Sequence, residues 1–236
     1  MAEPYYKDER VTLYHGDCRD ILPQLDPVDL VLTDPPYGIN YVSNYTTGRG
    51  AKPITNDGAR LSIALQRQVI PLLSGRAQHV LWFTRWDVWP DVWAELGPWF
   101  PLRGMLIWDK ADPGMGDLKH WGPSYEMIAS AGWGKTVGSR DQSVLRHFKP
   151  PAAARVHPTE KPQALLRYLI GKLAPTTVLD PFAGGGSSLL AARDQGCRAI
   201  GIEVQESYCE AIASRLSQGV LDLAMVDSGS KPGEPS

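Results

Sequence analysis

Short, continuous apolar runs alternate with segments of helical periodicity, and this alternation restricts the fold of the chain more than any other feature. The runs cover residues 11–14, 29–33, 79–83, 105–108, 177–179 and 199–202, with a weaker run at 127–129. They lack the alternating polar positions of a half-exposed strand, so we expect strands covered on both faces. The order of the segments predicts an α/β domain with a mostly parallel sheet and helices on both of its faces.

Helices are predicted at residues 59–72, 163–173 and 205–218. The second carries a leucine-rich face at helical spacing, formed by Leu165, Leu166, Leu169, Ile170 and Leu173. Pro162 precedes it, at a helix start, where the missing N–H has no cost. In the third, Tyr208, Ile212 and Leu216 recur at helical spacing.

The length of 236 residues fits one domain, and we expect it to span residues 1–226. Residues 227–236 are Ser, Gly, Pro and charged residues, which predicts a disordered tail. No apolar run approaches the roughly 20 residues of a membrane helix, and the first residues are too polar for a secretory signal. A cytoplasmic protein without a membrane partner is therefore expected.

Cys18, Cys197 and Cys209 are the three cysteines, an odd number without a Cys-x-x-Cys pair. A disulfide framework and a zinc site are therefore disfavoured, and small buried side chains are expected. The five histidines are scattered and lack ligand spacing, so no metal site is predicted.

The net charge of −2 argues against a generally basic nucleic-acid-binding surface. Among the charged residues of the segment 135–172, however, eight are lysine or arginine and only two are acidic. These basic side chains could contact phosphates or form a solvated face. Two polar, glycine-rich regions, 38–58 and 111–151, interrupt the strand–helix rhythm, and segments of this kind are typical of substrate-contacting loops.

Tryptophans are numerous, with eight in the chain. Trp89 and Trp93 share a helical face with Leu96, which indicates packing in the core. Trp121 and Trp133 lie in the second polar region, where stacking on bases is an alternative, although packing is favoured for each.

A glycine-rich loop, Asp180 to Ser188, follows a predicted strand and opens a helix. Its glycines allow a sharp turn and close approach of a ligand to the helix N-terminus. Glu203 ends the next strand, where a carboxylate can accept hydrogen bonds from ribose hydroxyls. The pattern indicates a nucleoside-containing cofactor, with a tight structural turn as the alternative. Its consecutive glycines differ from the Gly-x-Gly-x-x-Gly pattern of dinucleotide sites.

Asp34-Pro35-Pro36-Tyr37 ends the buried run at 29–33, where ligands bind in open α/β sheets. The two prolines stiffen the backbone. Tyr37 offers a flat face to an aromatic ring, whose amine can donate to Asp34 and to the Pro35 carbonyl. Hydrogen bonds to both amine protons make the nitrogen lone pair more available. A rigid turn with an exposed acid is the alternative, which the glycine loop disfavours.

These segments together resemble the DNA amino-methyltransferases, the enzymes that form N6-methyladenine or N4-methylcytosine. The resemblance extends from about Val11 to Leu216, and the order, with Asp34-Pro35-Pro36-Tyr37 first and the glycine loop late, is similar to the β group of the family. It implies a Rossmann-like methyltransferase sheet with circularly permuted motifs and a small recognition insertion at about 111–151. S-adenosylmethionine is the implied cofactor and double-stranded DNA the implied partner.

The resemblance also implies roles for individual residues. Catalysis falls to Asp34, Pro35, Pro36 and Tyr37. Asp17 contacts the cofactor adenine, Thr159 and Lys161 approach the methionine carboxylate, and Glu203 binds the ribose. The full implied cofactor set is Asp17, Cys18, Asp34, Thr159, Lys161, Asp180, Phe182, Ala183, Gly184, Gly186, Ser187 and Glu203. Asn56-Asp57, Trp108-Asp109-Lys110 and the segment from His157 to Pro162 also match family motifs.

Asp rather than Ser before Pro-Pro favours adenine as the target, with N4-cytosine as the alternative. RNA or protein-amide methyltransferases usually carry Asn at the position of Asp34, and a non-catalytic DNA-binding relative would not need Asp34 and Lys161. The absence of a Pro-Cys pair removes cytosine-C5 chemistry. The short recognition region suggests a short DNA site or help from a second subunit. It does not identify the site or a partner nuclease.

Overall fold

The computed structural model describes residues 2–36, 59–111, 121–122, 124–148 and 160–227. Within them, nine strands form one sheet: β1 (Tyr6–Lys7), β2 (Val11–His15), β3 (Val28–Thr33), β4 (Ala77–Thr84), β5 (Leu102–Asp109), β6 (Tyr125–Gly132), β7 (Val144–Arg146), β8 (Thr177–Asp180) and β9 (Arg198–Glu203). The helices are α1 (Cys18–Ile21), α2 (Ala59–Leu72), α3 (Trp89–Leu96), α4 (Gln163–Leu173), α5 (Ser187–Asp194) and α6 (Glu206–Asp227).

The strands lie in the order β1-β2-β9-β8-β3-β4-β6-β5-β7. The five from β2 to β4 run parallel, and β7 is parallel to β5. The pairs β1–β2, β4–β6 and β5–β6 are antiparallel. The predicted mostly parallel sheet is therefore confirmed.

Helices cover both faces of this sheet, because consecutive side chains of the central strands point to opposite sides. Leu30 and Leu32 of β3 belong to a core that also contains buried residues of α4, α5 and α6. Val31 belongs to the other core, with buried residues of α1, α2 and α3. Each fully buried Val or Leu contributes about 1.5–3 kcal/mol, so the two cores hold the sheet as a fixed platform.

Part of the second polar region belongs to the sheet rather than to a loop. β6 lies between β4 and β5, inside the segment 111–151 expected to be an insertion. The sequence predicted only residues 127–129 of this strand. Ala129 and Ala131 are fully buried, but alanine has a low strand propensity, so the strand signal of this segment is weak. The role of the rest of segment 111–151 in recognition stays a prediction.

The predicted helices 59–72 and 163–173 coincide with α2 and α4. α6 was predicted to end at residue 218 but continues to Asp227, the first residue of the expected tail, and the remaining tail lies outside the described residues. No described helix combines the length and apolar character needed to cross a membrane. All three cysteines are buried free thiols, as expected, and burial raises the pKa of Cys18 to about 12.

β8 and β3 are parallel neighbours, but the connections that follow them lead to opposite sides of the sheet. From β3 the chain proceeds through α2 to β4 on one side, whereas from β8 it proceeds through α5 to β9 on the other. Ligands of open α/β sheets bind at such a switch point, beyond the carboxyl ends of the strands. The crevice beyond Thr33 and Asp180 is therefore the place to examine.

Candidate active site

Asp34 follows β3 directly, at the switch point of the sheet, and Pro35 and Pro36 come after it. The neighbouring β8 ends at Asp180, and Thr33 Oγ1 donates a 2.7 Å hydrogen bond to Asp180 Oδ1. This bond ties the Asp34 segment to the glycine loop. Tyr37, the last residue of the predicted catalytic segment, lies outside the described residues.

The backbone after Asp34 is anchored to α2. Ser62 Oγ and Gln66 Nε2 both donate to the Pro36 carbonyl, the latter at 3.1 Å. Gln66 Oε1 in turn accepts a 3.0 Å hydrogen bond from Trp82 Nε1 of β4. All three side chains are buried. The sequence offered no signal for this anchor, since Ser62 and Gln66 have the polar character of an exposed helix face.

Gln66→Leu tests the anchor. The change leaves the buried Trp82 Nε1 without its acceptor, at a cost of about 1–3 kcal/mol in the free energy of unfolding. It also removes one of the two donors to the Pro36 carbonyl, so we expect the methyl transfer implied by the sequence to slow by about tenfold, because misplacement of reacting groups is costly. Urea denaturation and single-turnover assays measure both effects. Gln218→Leu is the matched control, since it makes the same chemical change at an exposed position of α6. Equal behaviour of the two variants would contradict the anchoring role.

Lys161 lies beneath Asp34 and is almost completely buried. Its Nζ pairs with Asp34 Oδ2 and lies 3.1 Å from Glu126 Oε2. The rings of Phe83 and Trp108 flank the ammonium, with centroids 5.2 and 6.0 Å from Nζ. Burial alone lowers the pKa of Lys161, but the carboxylates of Asp34 and Glu126 outweigh it and raise that pKa. The expected contact of Lys161 with the methionine carboxylate stays a prediction, and Thr159 lies outside the described residues.

Asp180 organises the glycine loop from within. It accepts hydrogen bonds from Thr33, from Ser188 Oγ and, at 3.0 Å, from the backbone N–H of Phe182. Burial raises its pKa to about 6. Because protein donors surround this carboxylate, the structure gives Asp180 a clear role in shaping the loop. A direct contact with a cofactor remains a prediction.

The other predicted cofactor residues lie along the same edge. Glu203 ends β9 and accepts 2.8 Å hydrogen bonds from the N–H groups of Gly184 and Gln205. Burial raises the pKa of Glu203. Asp17 caps the N-terminus of α1 beside buried Cys18, and the preceding Gly16 N–H donates to the Glu203 carbonyl at 2.9 Å. The ends of β2, β9, β8 and β3 thus bring Asp17, Glu203, Asp180 and Asp34 to one edge.

The loop itself fits a nucleoside-containing cofactor. Gly186 has a φ of +78° and Gly184 a φ of +52°, so the chain turns tightly before Ser187 opens α5. Ala183 is buried, and its N–H donates 2.9 Å to the Ile202 carbonyl. Gln163 donates to the Ser187 carbonyl at 3.0 Å, while its buried Oε1 accepts no hydrogen bond from the described residues. Acceptors and free helix N–H groups together suit a ligand with hydroxyl, ammonium and carboxylate groups.

The pKa of Asp180 predicts a pH dependence of stability. A carboxyl whose pKa is raised from 3.8 in the unfolded chain to about 6 in the fold stabilises the protein below about pH 4, and this contribution is lost as the pH rises through 6. Asp180→Asn removes the titration. Between pH 5 and 7.5 we expect the wild type to lose about 1 kcal/mol more unfolding free energy than the variant. Urea denaturation at both pH values measures the difference, in which shifts common to both proteins cancel. Identical pH slopes would contradict it.

The basic stretch has a mixed environment. Arg146 is exposed and pairs with Asp109 at 2.8 Å, while Lys172 pairs with Asp141 at 2.6 Å. Arg140, Arg146, His147 and Tyr168 line an open groove of about 740 Å³. Such a groove, with partly neutralised charge, is compatible with either phosphate contact or a solvated face.

The two tryptophans of the second polar region are not core residues. Trp121 is fully exposed, so the expectation that it packs is wrong, and Trp133 is 55% exposed with one face near the Phe100 ring. Packing was predicted because tryptophan is usually buried, and the sequence does not show how little apolar surface lies next to these two side chains. Trp89 and Trp93 do pack on α3, stacked at 4.8 Å.

Comparison with known proteins identifies the family of the chain. The model of the N6/N4 DNA methylase family matches residues 73–214, more than half of the chain. The type II methyltransferase M.ScaI of Streptomyces caespitosus is 26% identical over 92% of this chain and 84% of its own length.

Solved structures give the same fold. The complex of M1.HpyAVI with S-adenosylmethionine matches with a TM-score of 0.66 at 22% identity, over 87% of this chain and 98% of that one. The cytosine-N4-specific PvuII DNA methyltransferase matches with a TM-score of 0.69 at 14% identity, over 90% of this chain and 88% of its own. From the family match, the chain belongs to the N6/N4 DNA methylases, the S-adenosylmethionine-dependent enzymes that methylate an exocyclic base amine in DNA.

Proposed function

We propose that the protein transfers the methyl group of S-adenosylmethionine to the N6 amine of adenine in double-stranded DNA. The observation that carries this proposal is the position of Asp34. Its carboxylate stands at the switch point, against the Lys161 ammonium and one strand away from the glycine loop. A carboxylate held there can accept a hydrogen bond from an amine that approaches the cofactor side of the crevice.

The residues of the chain divide the work. Asp34 accepts one amine hydrogen bond and the Pro35 carbonyl the other, while Tyr37 supplies the stacking face. The cofactor supplies an electrophilic methyl group on a sulfonium centre. As the N–C bond forms and the C–S bond breaks, the amine becomes acidic, and its proton leaves through Asp34 toward solvent. The proposed ligands of the cofactor are Glu203 for the ribose, Asp17 for the adenine, and the N-terminus of α5 with Thr159 and Lys161 for the methionine carboxylate.

Access to the amine requires that the target base leave the helix, since the N6 group is inaccessible to such a crevice inside a duplex. The exposed side chains of Trp121, Trp133, Arg140 and Arg146 are the proposed contacts to the DNA around the extruded base. A recognition region reduced by β6 supports a short DNA site or a contribution from a second subunit. Sedimentation with and without a DNA duplex tests the second subunit.

The choice of adenine over cytosine rests on Asp34, since Asp rather than Ser precedes the prolines. N4-cytosine is the second candidate, because the similar PvuII enzyme is specific for that amine. Both amines offer the same pair of N–H donors to Asp34 and Pro35, so the site geometry serves either base.

Incorporation of tritiated methyl groups tests the function. In parallel reactions, the protein is incubated with labelled S-adenosylmethionine and one substrate each: duplex DNA, RNA or protein. The DNA is then digested to nucleosides. We expect label in DNA, recovered as N6-methyl-2′-deoxyadenosine. Label recovered as N4-methyl-2′-deoxycytidine would identify cytosine as the target base, whereas label in RNA or protein alone would overturn the proposal. Sequencing of modified bases in DNA from an expressing host gives the site.

A further inference from the structure

Four charged side chains form a buried chain beneath the crevice, which we name the charge chain: Asp34, Lys161, Glu126 and Lys110. Glu126 is the second residue of β6 and bridges the two lysines. Its Oε1 lies 2.7 Å from Lys110 Nζ and its Oε2 lies 3.1 Å from Lys161 Nζ. Signs alternate along the chain from Asp34 to Lys110, so the four charges balance.

The members of the charge chain are poorly hydrated. Side-chain exposure is 6% for Lys161, 7% for Lys110 and 15% for Glu126, against 23% for Asp34 at the crevice. Glu126 Oε2 has no hydrogen bond of regular geometry among the described residues, so charge holds it toward Lys161. Charges removed from water depend on their partners, and loss of one partner leaves another uncompensated.

Lys161 is held in place by its surroundings on several strands. Phe83 of β4 and Trp108 of β5 flank the ammonium, Asp34 lies above it at the end of β3, and Glu126 of β6 lies on its other side. The aromatic rings restrict lateral movement but carry no full charge. The attraction of the ammonium to the Asp34 carboxylate is therefore opposed by its attraction to the Glu126 carboxylate, and a change in either moves Nζ relative to Asp34.

We propose that Glu126 is a positioning residue for methyl transfer, which holds the Lys161 ammonium in the place where it orients the Asp34 carboxylate and keeps it ionised. This role rests on the proposed function, in which Asp34 accepts the target amine. Glu126 touches neither substrate nor cofactor and acts through Lys161. Without it, Asp34 becomes the main counter-ion of a displaced ammonium and turns away from the amine.

Two variants separate positioning from simple charge balance. Glu126→Gln keeps the side-chain shape but leaves Lys110 and Lys161 with one fewer negative charge between them. The double variant Lys110→Met/Glu126→Gln removes one charge of each sign, so the buried charge balances again while Asp34 and Lys161 keep each other. Circular dichroism and thermal unfolding of the full chain compare the folds, and steady-state assays on duplex DNA give kcat and KM.

We expect kcat to fall by about 10- to 100-fold in both variants, since small displacements of catalytic groups have effects of this size. KM for DNA should stay within about threefold of wild type, as expected for a loss confined to the transition state. The double variant should unfold close to the wild-type temperature. Recovery of wild-type kcat in the double variant would overturn the proposal, because Glu126 would then serve only to neutralise Lys110.

The pH profile gives an independent readout. Among the described residues, the charged groups that face Lys161 include Asp34 just after β3 and Glu126 of β6, with Lys110 just after β5 and beyond Glu126. Loss of the Glu126 charge weakens the stabilisation of the ammonium, so the alkaline decline of kcat should begin at lower pH in both variants. An unchanged alkaline limb contradicts the role. Absence of DNA methylation by the wild type in the same assay would overturn the proposed function itself, which distinguishes the two failures.

Discussion

Replacement of Asp34 by Asn is expected to lower kcat for methyl transfer by about 10²- to 10⁴-fold, the usual contribution of a positioned acid–base group. The isosteric amide keeps the volume of the side chain, but it loses the negative charge that pairs with Lys161 and that we propose as the acceptor of the amine hydrogen bond. Cofactor affinity should change by no more than about threefold, because an interaction made in the transition state affects kcat rather than binding.

Single-turnover transfer to a DNA duplex measures the chemical step, and calorimetric titration measures the affinity for S-adenosylmethionine. Asp26→Asn is the matched control, since it makes the same chemical change at an exposed position just before the same strand. Turnover by Asp34→Asn at the wild-type rate would remove Asp34 from the mechanism. A parallel loss of cofactor binding would move its role to the cofactor.

Gly186→Ala is expected to cause the second large effect, a loss of about 2–4 kcal/mol in unfolding free energy. A φ of +78° is unfavourable for any residue with a Cβ. In addition, an added Cβ would lie 2.9 Å from Ile212 Cγ1. Because Ile212 is buried on α6, we expect its side chain to resist displacement. The displaced loop should also weaken S-adenosylmethionine binding by about tenfold, equivalent to ~1.4 kcal/mol.

Gly184→Ala is the matched comparison for this variant. Its φ of +52° imposes a similar conformational cost, but the nearest atom to an added Cβ, the Phe182 carbonyl oxygen, is 3.9 Å away. We therefore expect Gly184→Ala to lose only about 1–2 kcal/mol. Urea denaturation of both variants isolates the contact with Ile212. Equal losses would show that the collision is relieved by movement of α6.

The fold was predictable wherever a strand is both apolar and central. β3 contains buried Val and Leu and β4 contains buried Val, Leu, Trp and Phe, and these apolar runs were visible without tertiary information. β6 was only partly visible, because its alanines and glycine are buried through their place between β4 and β5 rather than through their own hydrophobicity. β7 has three residues, of which only Leu145 is buried, so no local pattern marks it.

The site divides in the same way. Asp34, Asp180 and Glu203 follow apolar runs, so their positions at strand ends were predictable. Glu126 was not, because a single acid at the start of a weak strand resembles an exposed residue. Its partners Lys110 and Lys161 become recognisable as partners only when β5, β6 and the segment before α4 come together. Ser62 and Gln66 were missed for the same reason, since their common acceptor is the carbonyl of a distant proline.

The hydrogen bond between Thr33 and Asp180 joins residues separated by 147 positions in the chain. At about 5–20 residues per second, a ribosome needs roughly 7–30 s to travel that distance. Throughout this interval β3 has been synthesised, but its neighbour β8 has not, and one edge of the strand at the centre of the sheet stays unpaired. Unpaired apolar edges invite association with other chains. The late position of the glycine loop therefore leaves the newborn chain with an exposed apolar edge, and a risk of aggregation, until β8 has been synthesised.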